Sequence, residues 1–213
     1  MSNIVEMDIK NRNAKKMMLW FGMISITMTF AGLTSAFIVS SSRPDWLDSF
    51  SLPSWFLIST LSIALSSIFF QLAKFNLNKY AGYSIMESSN MEQFIPEIGF
   101  YRYKKNVNIY LCLTAILAIL FVISQFLGFE DIVSSGFYFT GPGSSVTTSY
   151  IYILVLLHLL HLLAGIIVLS VVIIRFNNQK YDNSKLGFEL ALIFWHFLGA
   201  LWIYLFFFIK YFS

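Results

Sequence analysis

Residues 149–174 read SYIYILVLLHLLHLLAGIIVLSVVII, a run of 26 residues without a charged side chain. As an α-helix such a run extends ~39 Å, more than the ~30 Å thickness of bilayer hydrocarbon. Backbone groups in lipid have no water to bond, so a spanning segment must satisfy them internally. A helix does this; a β-barrel would need short segments of alternating polarity instead. Four more stretches read the same way, which places spans at about 17–40, 54–75, 107–129, 149–174 and 188–209. The composition agrees, with 57% hydrophobic and only 12% charged residues, against about 25% charged in a soluble domain. The expected fold is an all-α membrane protein, a bundle of five transmembrane helices forming one domain over residues 1–213.

Positive charges orient the bundle. Lys10, Arg12, Lys15 and Lys16 precede the first span; Lys74, Lys79, Arg102, Lys104 and Lys105 lie between or beside the second and third; Arg175, Lys180 and Lys185 lie between the fourth and fifth. Twelve of the fourteen Lys and Arg residues therefore share one side, leaving Arg43 and Lys210 on the other with Asp45, Asp48, Glu130 and Asp131. The positive-inside rule puts the N-terminus in the cytoplasm and the C-terminus outside. That alternation requires an odd number of spans, as counted. The first apolar run, about 24 residues, exceeds the ~7–15 of a signal h-region and ends in no A-x-A-like site, so it reads as a retained span. The net charge of +3 is small, and no nucleic-acid partner is expected.

Between the spans, residues 76–106 form the longest connection. Tyr80, Tyr83, Ile85, Met86, Phe94, Ile95 and Phe100 alternate there with polar residues, so this segment is expected to lie as an amphipathic loop along the membrane interface. Residues 130–148 contain TGPGSSVTTS, expected as a flexible outer loop with a turn at Pro142. Aromatic anchors are expected at Trp46 and Trp55 on one side and at Tyr204, Tyr211 and Phe212 near the end of the chain. All four prolines, Pro44, Pro53, Pro96 and Pro142, fall outside the spans. Unbroken helices without an internal repeat argue against a transporter, whose substrate sites use interrupted helices.

Ionisable residues inside spans are costly and face a bundle interior or a cavity. Here they are His158, His161, Glu189 and His196. His158 and His161 lie about 60° apart around the fourth helix with Gly165 between them, while Glu189 and His196, seven apart, share a face of the fifth. The short connection makes those helices antiparallel, with His161 and His196 at depths differing by ~5–10 Å, so a contact between the two faces is expected. Three readings compete. A metal site needs three or four converging ligands, and only three histidines exist to supply them. A proton relay needs carboxylates at several depths, and Glu189 sits near one end only. Neutral imidazoles hydrogen-bonding between helices need nothing more, and this structural polar cluster is the favoured reading. No residue of the chain is assigned a catalytic, cofactor-binding or metal-ligating role. Cys112 stands alone within the third span, where a buried apolar role is its ordinary one. No C-x-x-C-H is present for covalent haem, and three histidines are too few for a haem with a neighbouring copper.

Three segments then resemble a known family. LHLLHLLAGIIVLSVVIIR resembles the H-G-x-H-V-x-x-G-x-x-x-L segment of subunit III of haem–copper terminal oxidases. ELALIFWHFLGALWIYLFFFIKY resembles that family's closing helix, E-x-x-x-x-Y-W-H-F-V-D-x-x-W-x-x-L-F, through Glu189, Trp195, His196, Phe197 and Trp202. FAGLTSAF at 30–37 resembles F-A-G-L-F-A-A-Y-F. The likeness runs in order over nearly the whole chain and implies the short, five-helix bacterial form. What it implies is an accessory, cofactor-free subunit III of a bacterial aa3-type cytochrome c oxidase, multi-pass in the cell (inner) membrane, stabilising the catalytic subunit of a complex that reduces O2 to water with proton translocation. Haem and copper are then expected in partner subunits. The implied partners are subunit I by direct contact, subunits II and IV of the same complex, and phospholipids.

The alternatives are subunit III of a quinol oxidase, or a degenerate paralogue bridging an oxidase to a neighbouring respiratory complex. Departures from the family pattern motivate the last. Ile26 stands where the family's first span carries a Glu, Leu159 replaces the Gly of H-G-x-H, and Gly199 replaces the Asp of H-F-V-D.

Overall fold

The computed structural model describes residues 2–43, 52–88, 97–139, 141, 145–178 and 185–212, with side chains given for all of these except 2–5, 8 and 82–100. Among the described residues there are five α-helices and no strand: α1 Ser2–Ser40, α2 Trp55–Ser88, α3 Glu97–Ser134, α4 Val146–Asn177 and α5 Leu186–Phe212. All five carry a stretch long and apolar enough to cross a membrane: Ile9–Ser40, Trp55–Ala81, Tyr101–Ser134, Val146–Asn177 and Leu186–Phe212. The five expected spans are all present, and each helix outruns its span.

The overrun has a physical cause. Hydropathy marks where lipid stops, but Lys, Glu and Arg are good helix formers and carry the helix on into the polar layer. The largest effect falls on the expected interfacial loop at 76–106, which is not a loop over most of its length. α2 continues through Asn76 to Ser88, and α3 has begun by Glu97. Asn76 donates from Nδ2 to Leu72 O of its own helix at 2.8 Å. Tyr80 is buried, its ring edge-on to Phe176 of α4 at 6.0 Å, so it belongs to the core rather than to an interfacial face. The side chains of Tyr83, Ile85, Met86, Phe94, Ile95 and Phe100 lie outside the described ones, as do Pro44, Trp46, Pro96 and Pro142.

The outer connection is also shorter than 130–148. α3 runs to Ser134 and stops at Gly136, whose φ of 85° is left-handed. Gly136 N–H donates to Val133 O at 2.9 Å and Phe137 N–H to Ile132 O at 3.2 Å, the paired bonds of a Schellman stop. α4 opens on a capping box: Thr148 N–H donates to Ser145 Oγ at 3.1 Å and Ser145 N–H to Thr148 Oγ1 at 3.2 Å. That box satisfies two of the orphan donors a helix start leaves exposed.

Cross-helix contacts fix the relative directions. Ser59 meets Gln125 and Ser66 meets Thr114, so α2 and α3 run antiparallel. Phe121 meets His158 and Phe129 meets Tyr152, so α3 and α4 do too. Thr34 meets Tyr204 and Phe37 meets Phe208, so α1 and α5 are parallel. The helices alternate in direction, and the two ends of the chain lie at opposite ends of the bundle. α2 and α3 form an intimate hairpin; α5 touches α1, α2 and α4, and is the most enclosed helix, whereas α1 is the least. The core is aromatic: Phe30, Phe37, Phe70, Phe121, Phe188, Trp195 and Trp202 are all fully buried. Large apolar side chains such as Phe21, Met28, Ile68, Phe126, Ile167 and Phe207 point outward, the arrangement suited to lipid as solvent.

If α2 extends as described, backbone amides 77–81 will show strong protection in hydrogen exchange of the bilayer-reconstituted chain. Exchange at unprotected-peptide rates there would return this segment to a loop.

Candidate functional site

The polar groups within the spans are positioned chiefly by α5. Trp195 and Trp202, seven apart, share one face; His196, about 100° further round, is turned away from them. Both tryptophans are fully buried and reach α2. Trp195 Nε1–H donates to Ser66 Oγ at 3.2 Å, and Ser66 in turn donates to Thr114 O on α3 at 3.2 Å. Trp202 Nε1–H donates to Thr60 Oγ1 at 3.0 Å, while Thr60 donates to Phe56 O at 2.7 Å. Gln125 of α3 donates to Ser59 Oγ at 2.8 Å. α1 joins through Thr34, bonded by the Tyr204 hydroxyl at 3.2 Å, and through Ser40, 3.2 Å from the Tyr150 hydroxyl of α4. Each such bond across membrane helices is worth about 0.6 kcal/mol on average.

These indole–hydroxyl bonds were missed by sequence reasoning, although a signal for them exists. Residues 59–67, STLSIALSS, put five hydroxyls into nine residues of α2. In a lipid-spanning helix, small hydroxyl residues mark the faces where other helices approach.

The four ionisable residues expected to form one cluster occupy two separate places. His158 is fully buried among rings, with Trp202 at 5.2 Å, Phe121 at 6.0 Å and Phe30 at 6.5 Å between centroids. Neither of its ring nitrogens has a hydrogen-bond partner. His161 donates from Nδ1 to Leu157 O of its own helix at 2.7 Å and lies 5.9 Å from the Phe30 ring. His196 instead faces α2, its Nε2 3.4 Å from Gln71 Oε1, and Glu189 Oε1 is 3.8 Å from Lys74 Nζ. The expected contact between the histidine faces of α4 and α5 is therefore not made.

The reason is the close approach at Gly165. A Cβ there would lie 2.7 Å from Leu198 Cδ1 and 3.5 Å from Trp195 Cζ3. α5 thus presents its Trp195–Leu198–Trp202 face to α4, which rotates His196 and Glu189 toward α2. Among the described residues, no three His, Cys, Asp or Glu side chains gather closely enough to hold a metal ion.

The positions lacking an acid have closed up. Ile26 packs against the small apolar cluster of Phe30, Leu154, Leu201 and Leu205. Gly199 fits against α2, where a Cβ would lie 3.2 Å from Ser67 Oγ. Cys112 is exposed on α3 rather than buried.

Fold and polar contacts together define a multi-pass α-helical membrane protein whose spans are held to one another by side-chain hydrogen bonds and aromatic packing. The chain belongs to the cytochrome c oxidase subunit III family, whose model matches residues 13–213. Among similar proteins, the cytochrome c oxidase subunit 3 of Pyricularia grisea is 37% identical over 94 residues, 44% of this chain and 33% of that protein. The cytochrome bo(3) ubiquinol oxidase subunit 3 of Buchnera aphidicola subsp. Baizongia pistaciae (strain Bp) is 31% identical over 111 residues, 49% of this chain and 56% of that protein. The cytochrome c oxidase subunit 3 of Rhizopus stolonifer is 33% identical over 98 residues, 44% of this chain and 32% of that protein. The matched stretches thus span from a third to somewhat over half of these relatives.

Two substitutions separate the working polar contacts from the idle ones. Trp202→Phe leaves Thr60 without its cross-helix donor and shrinks a fully buried ring, so a loss of more than about 0.6 kcal/mol is expected in detergent unfolding of the chain. His158→Phe removes two buried nitrogens that lack partners, an arrangement costing about 1–3 kcal/mol per group, so this variant should be at least as stable as the parent. A clearly less stable His158→Phe chain would mean that the ring makes a bond not seen here.

Proposed function

We propose that this chain is the accessory, cofactor-free subunit III of a bacterial aa3-type cytochrome c oxidase in the cell (inner) membrane. It stabilises subunit I by lateral contact, alongside subunits II and IV and bound phospholipids, in a complex that reduces O2 to water with proton translocation. Haem and copper reside in the partner subunits. The observation that carries this reading is the match of the subunit III model across residues 13–213, on a bundle whose family-pattern residues Trp195 and Trp202 bind helix to helix. The five-span form supports the bacterial assignment. On this reading His158, His161, Glu189 and His196 serve cohesion and not chemistry. His196 and Glu189 tie α5 to α2, and His158 packs as an aromatic body. The charge asymmetry supports a cytoplasmic N-terminus and an external C-terminus.

A second reading, subunit III of a quinol oxidase, is favoured by the relative named as a bo(3) ubiquinol oxidase subunit. A scaffold between an oxidase and a neighbouring respiratory complex is a third, supported by Ile26 and Gly199 at the two positions where the family pattern has acids.

Affinity purification of the tagged chain from its native membrane tests the main reading. A haem-bearing polypeptide with O2-reducing activity should come with it, and its absence would overturn the proposal. The haem spectrum and the presence of a copper-bearing subunit II distinguish the cytochrome c from the quinol form. In the purified complex Glu189→Gln should leave turnover nearly unchanged, because on this reading Glu189 serves packing, and the partly exposed ion pair it loses is worth at most about 1 kcal/mol of stability. A collapse of proton uptake in that variant would make Glu189 part of a relay.

A further inference from the structure

α2 and α5 meet along a second line of polar contacts, on the outward lip of the seam that Trp195 and Trp202 close from within. Lys185 Nζ donates to Asn78 Oδ1 at 3.3 Å, Glu189 Oε1 stands 3.8 Å from Lys74 Nζ, and His196 Nε2 lies 3.4 Å from Gln71 Oε1. One level deeper Gly199 packs against Ser67, whose Oγ would be 3.2 Å from a Cβ. Ser67, Gln71, Lys74 and Asn78 follow the three-and-four spacing of a single helix face. From Lys185 to His196 the line climbs eleven residues, or ~16 Å, about half of the ~30 Å hydrocarbon thickness.

The line is not enclosed by the bundle. Gln71 and Asn78 are exposed, Lys185 and His196 partly so, and the side chains of Lys74 and Glu189 keep 30% and 37% of their surface. Ionisable side chains at membrane depth turn to a bundle interior or to a water-filled cavity, not to lipid. Lys74 and Lys185 are long enough to carry their ammonium groups to the polar layer; Gln71 and His196, deeper and shorter, are not. The lipid-facing side of α2 lies ~100° further round. There Ile68, Leu72 and Phe75 each follow a polar residue of the line, and all three are exposed.

The separations along the lip distinguish water from a dry partner. Inside the seam the cross-helix bonds measure 2.8 Å for Gln125 with Ser59, 3.0 Å for Trp202 with Thr60 and 3.2 Å for Trp195 with Ser66. The lip contacts, at 3.3, 3.4 and 3.8 Å, are all longer. An ammonium and a carboxylate in dry surroundings close to about 2.7–2.9 Å, whereas a polar contact beyond about 3.5 Å is characteristic of groups that share water. A covering helix would have to match the remaining Lys74 donors, the second Glu189 oxygen and the Gln71 amide at successive levels. Water meets donor and acceptor alike by turning.

We propose that the outward lip of the α2–α5 seam is a water-filled crevice, open at the Lys185 end of the bundle and reaching the level of Gln71 and His196. Its water bonds Lys74, Glu189, Gln71 and His196, so the ion pair behaves as a hydrated surface pair although it lies within the spans. The proposal stands whether or not the chain serves an oxidase.

Cys112 is the single cysteine of the chain, so Cys112→Ser provides a parent into which Gln71→Cys, Ile68→Cys or Leu72→Cys is placed. The full chain, in bilayer vesicles opened to reagent on both faces, is treated with a sulfonated, membrane-impermeant methanethiosulfonate, and modification is timed by mass. A thiol reacts as its thiolate, which needs water to form, so Gln71→Cys should react at least about tenfold faster than the two lipid-facing positions. Nitroxide labels on the same cysteines, transferred to D2O, should show strong deuterium contact at 71 and weak contact at 68 and 72. If Gln71→Cys does not fold, His196→Cys on the facing helix takes its place in both measurements. A rate at 71 as slow as at 68 and 72, with equally weak deuterium contact, would overturn the crevice. Protection of 71 in the assembled complex would overturn it too, because a protein would then cover the lip. Copurification of a haem-bearing polypeptide is independent of these readouts, so the two readings fail separately.

Discussion

No solvent in the bilayer interior can replace a missing hydrogen bond, and this constraint governs how the hydroxyls of α2 and the tryptophans of α5 are placed. The chain meets it with a small set of hydroxyls on α2 that each act twice. Ser66 accepts from the Trp195 indole and donates to Thr114 O; Thr60 accepts from Trp202 and donates to Phe56 O. A hydroxyl has one donor and two acceptor sites, so donating to a carbonyl leaves it free to receive an indole. The indole has a single donor and no acceptor, so one bond completes it. A tryptophan paired with such a serine or threonine therefore adds a large buried ring to the seam and leaves neither residue's donor unmet. This is why α5 can be the most enclosed helix of the bundle without stranding polar atoms there.

Histidine is a poorer fit to the same constraint. An imidazole brings both a donor and an acceptor, on opposite edges of the ring, and a helix–helix seam seldom offers partners to both. His161 meets half of the demand within its own helix, through Leu157 O. His158 meets none of it, and is surrounded by Trp202, Phe121 and Phe30. A charge at that depth would have no counter-ion, so the ring contributes as a flat aromatic body, packed edge-on or tilted against its neighbours. Its place in the seam is set by shape, with Gly165 two turns further along letting Leu198 and Trp195 close on α4.

The spans themselves were legible from the sequence, because the transfer cost of charge bounds each apolar run sharply. Their ends were not, since helix formation by Lys, Glu and Arg does not stop where the hydrocarbon does, and α2 and α3 together absorb most of what reads as a long loop. Gly165 could be placed between the two histidines from the helical period of α4. The grouping of the histidines was not legible. His196 follows Trp195 directly, and which of these two faces α4 depends on how far α5 is rotated. That rotation is fixed by the fit of Leu198 against Gly165, a contact between residues 33 apart that no local pattern encodes. The α2 hydroxyls needed the same missing information, namely that α2 lies beside α5.

The two departures from the family pattern also follow from packing once the neighbours are known. Ile26 lies with Phe30, Leu154, Leu201 and Leu205, an apolar set that an isoleucine side chain extends. At position 199 the space is already taken from the other side, since Ser67 Oγ would be only 3.2 Å from a Cβ. An acid at 199 would push α2 from α5 across the seam that Trp195 and Trp202 hold. The two replacements are therefore not isolated losses. Each is matched to its surroundings, so the bundle is internally consistent as a structure that keeps carboxylates out of its middle, and its remaining acid–base pair, Glu189 with Lys74, sits where α2 and α5 both approach the polar layer.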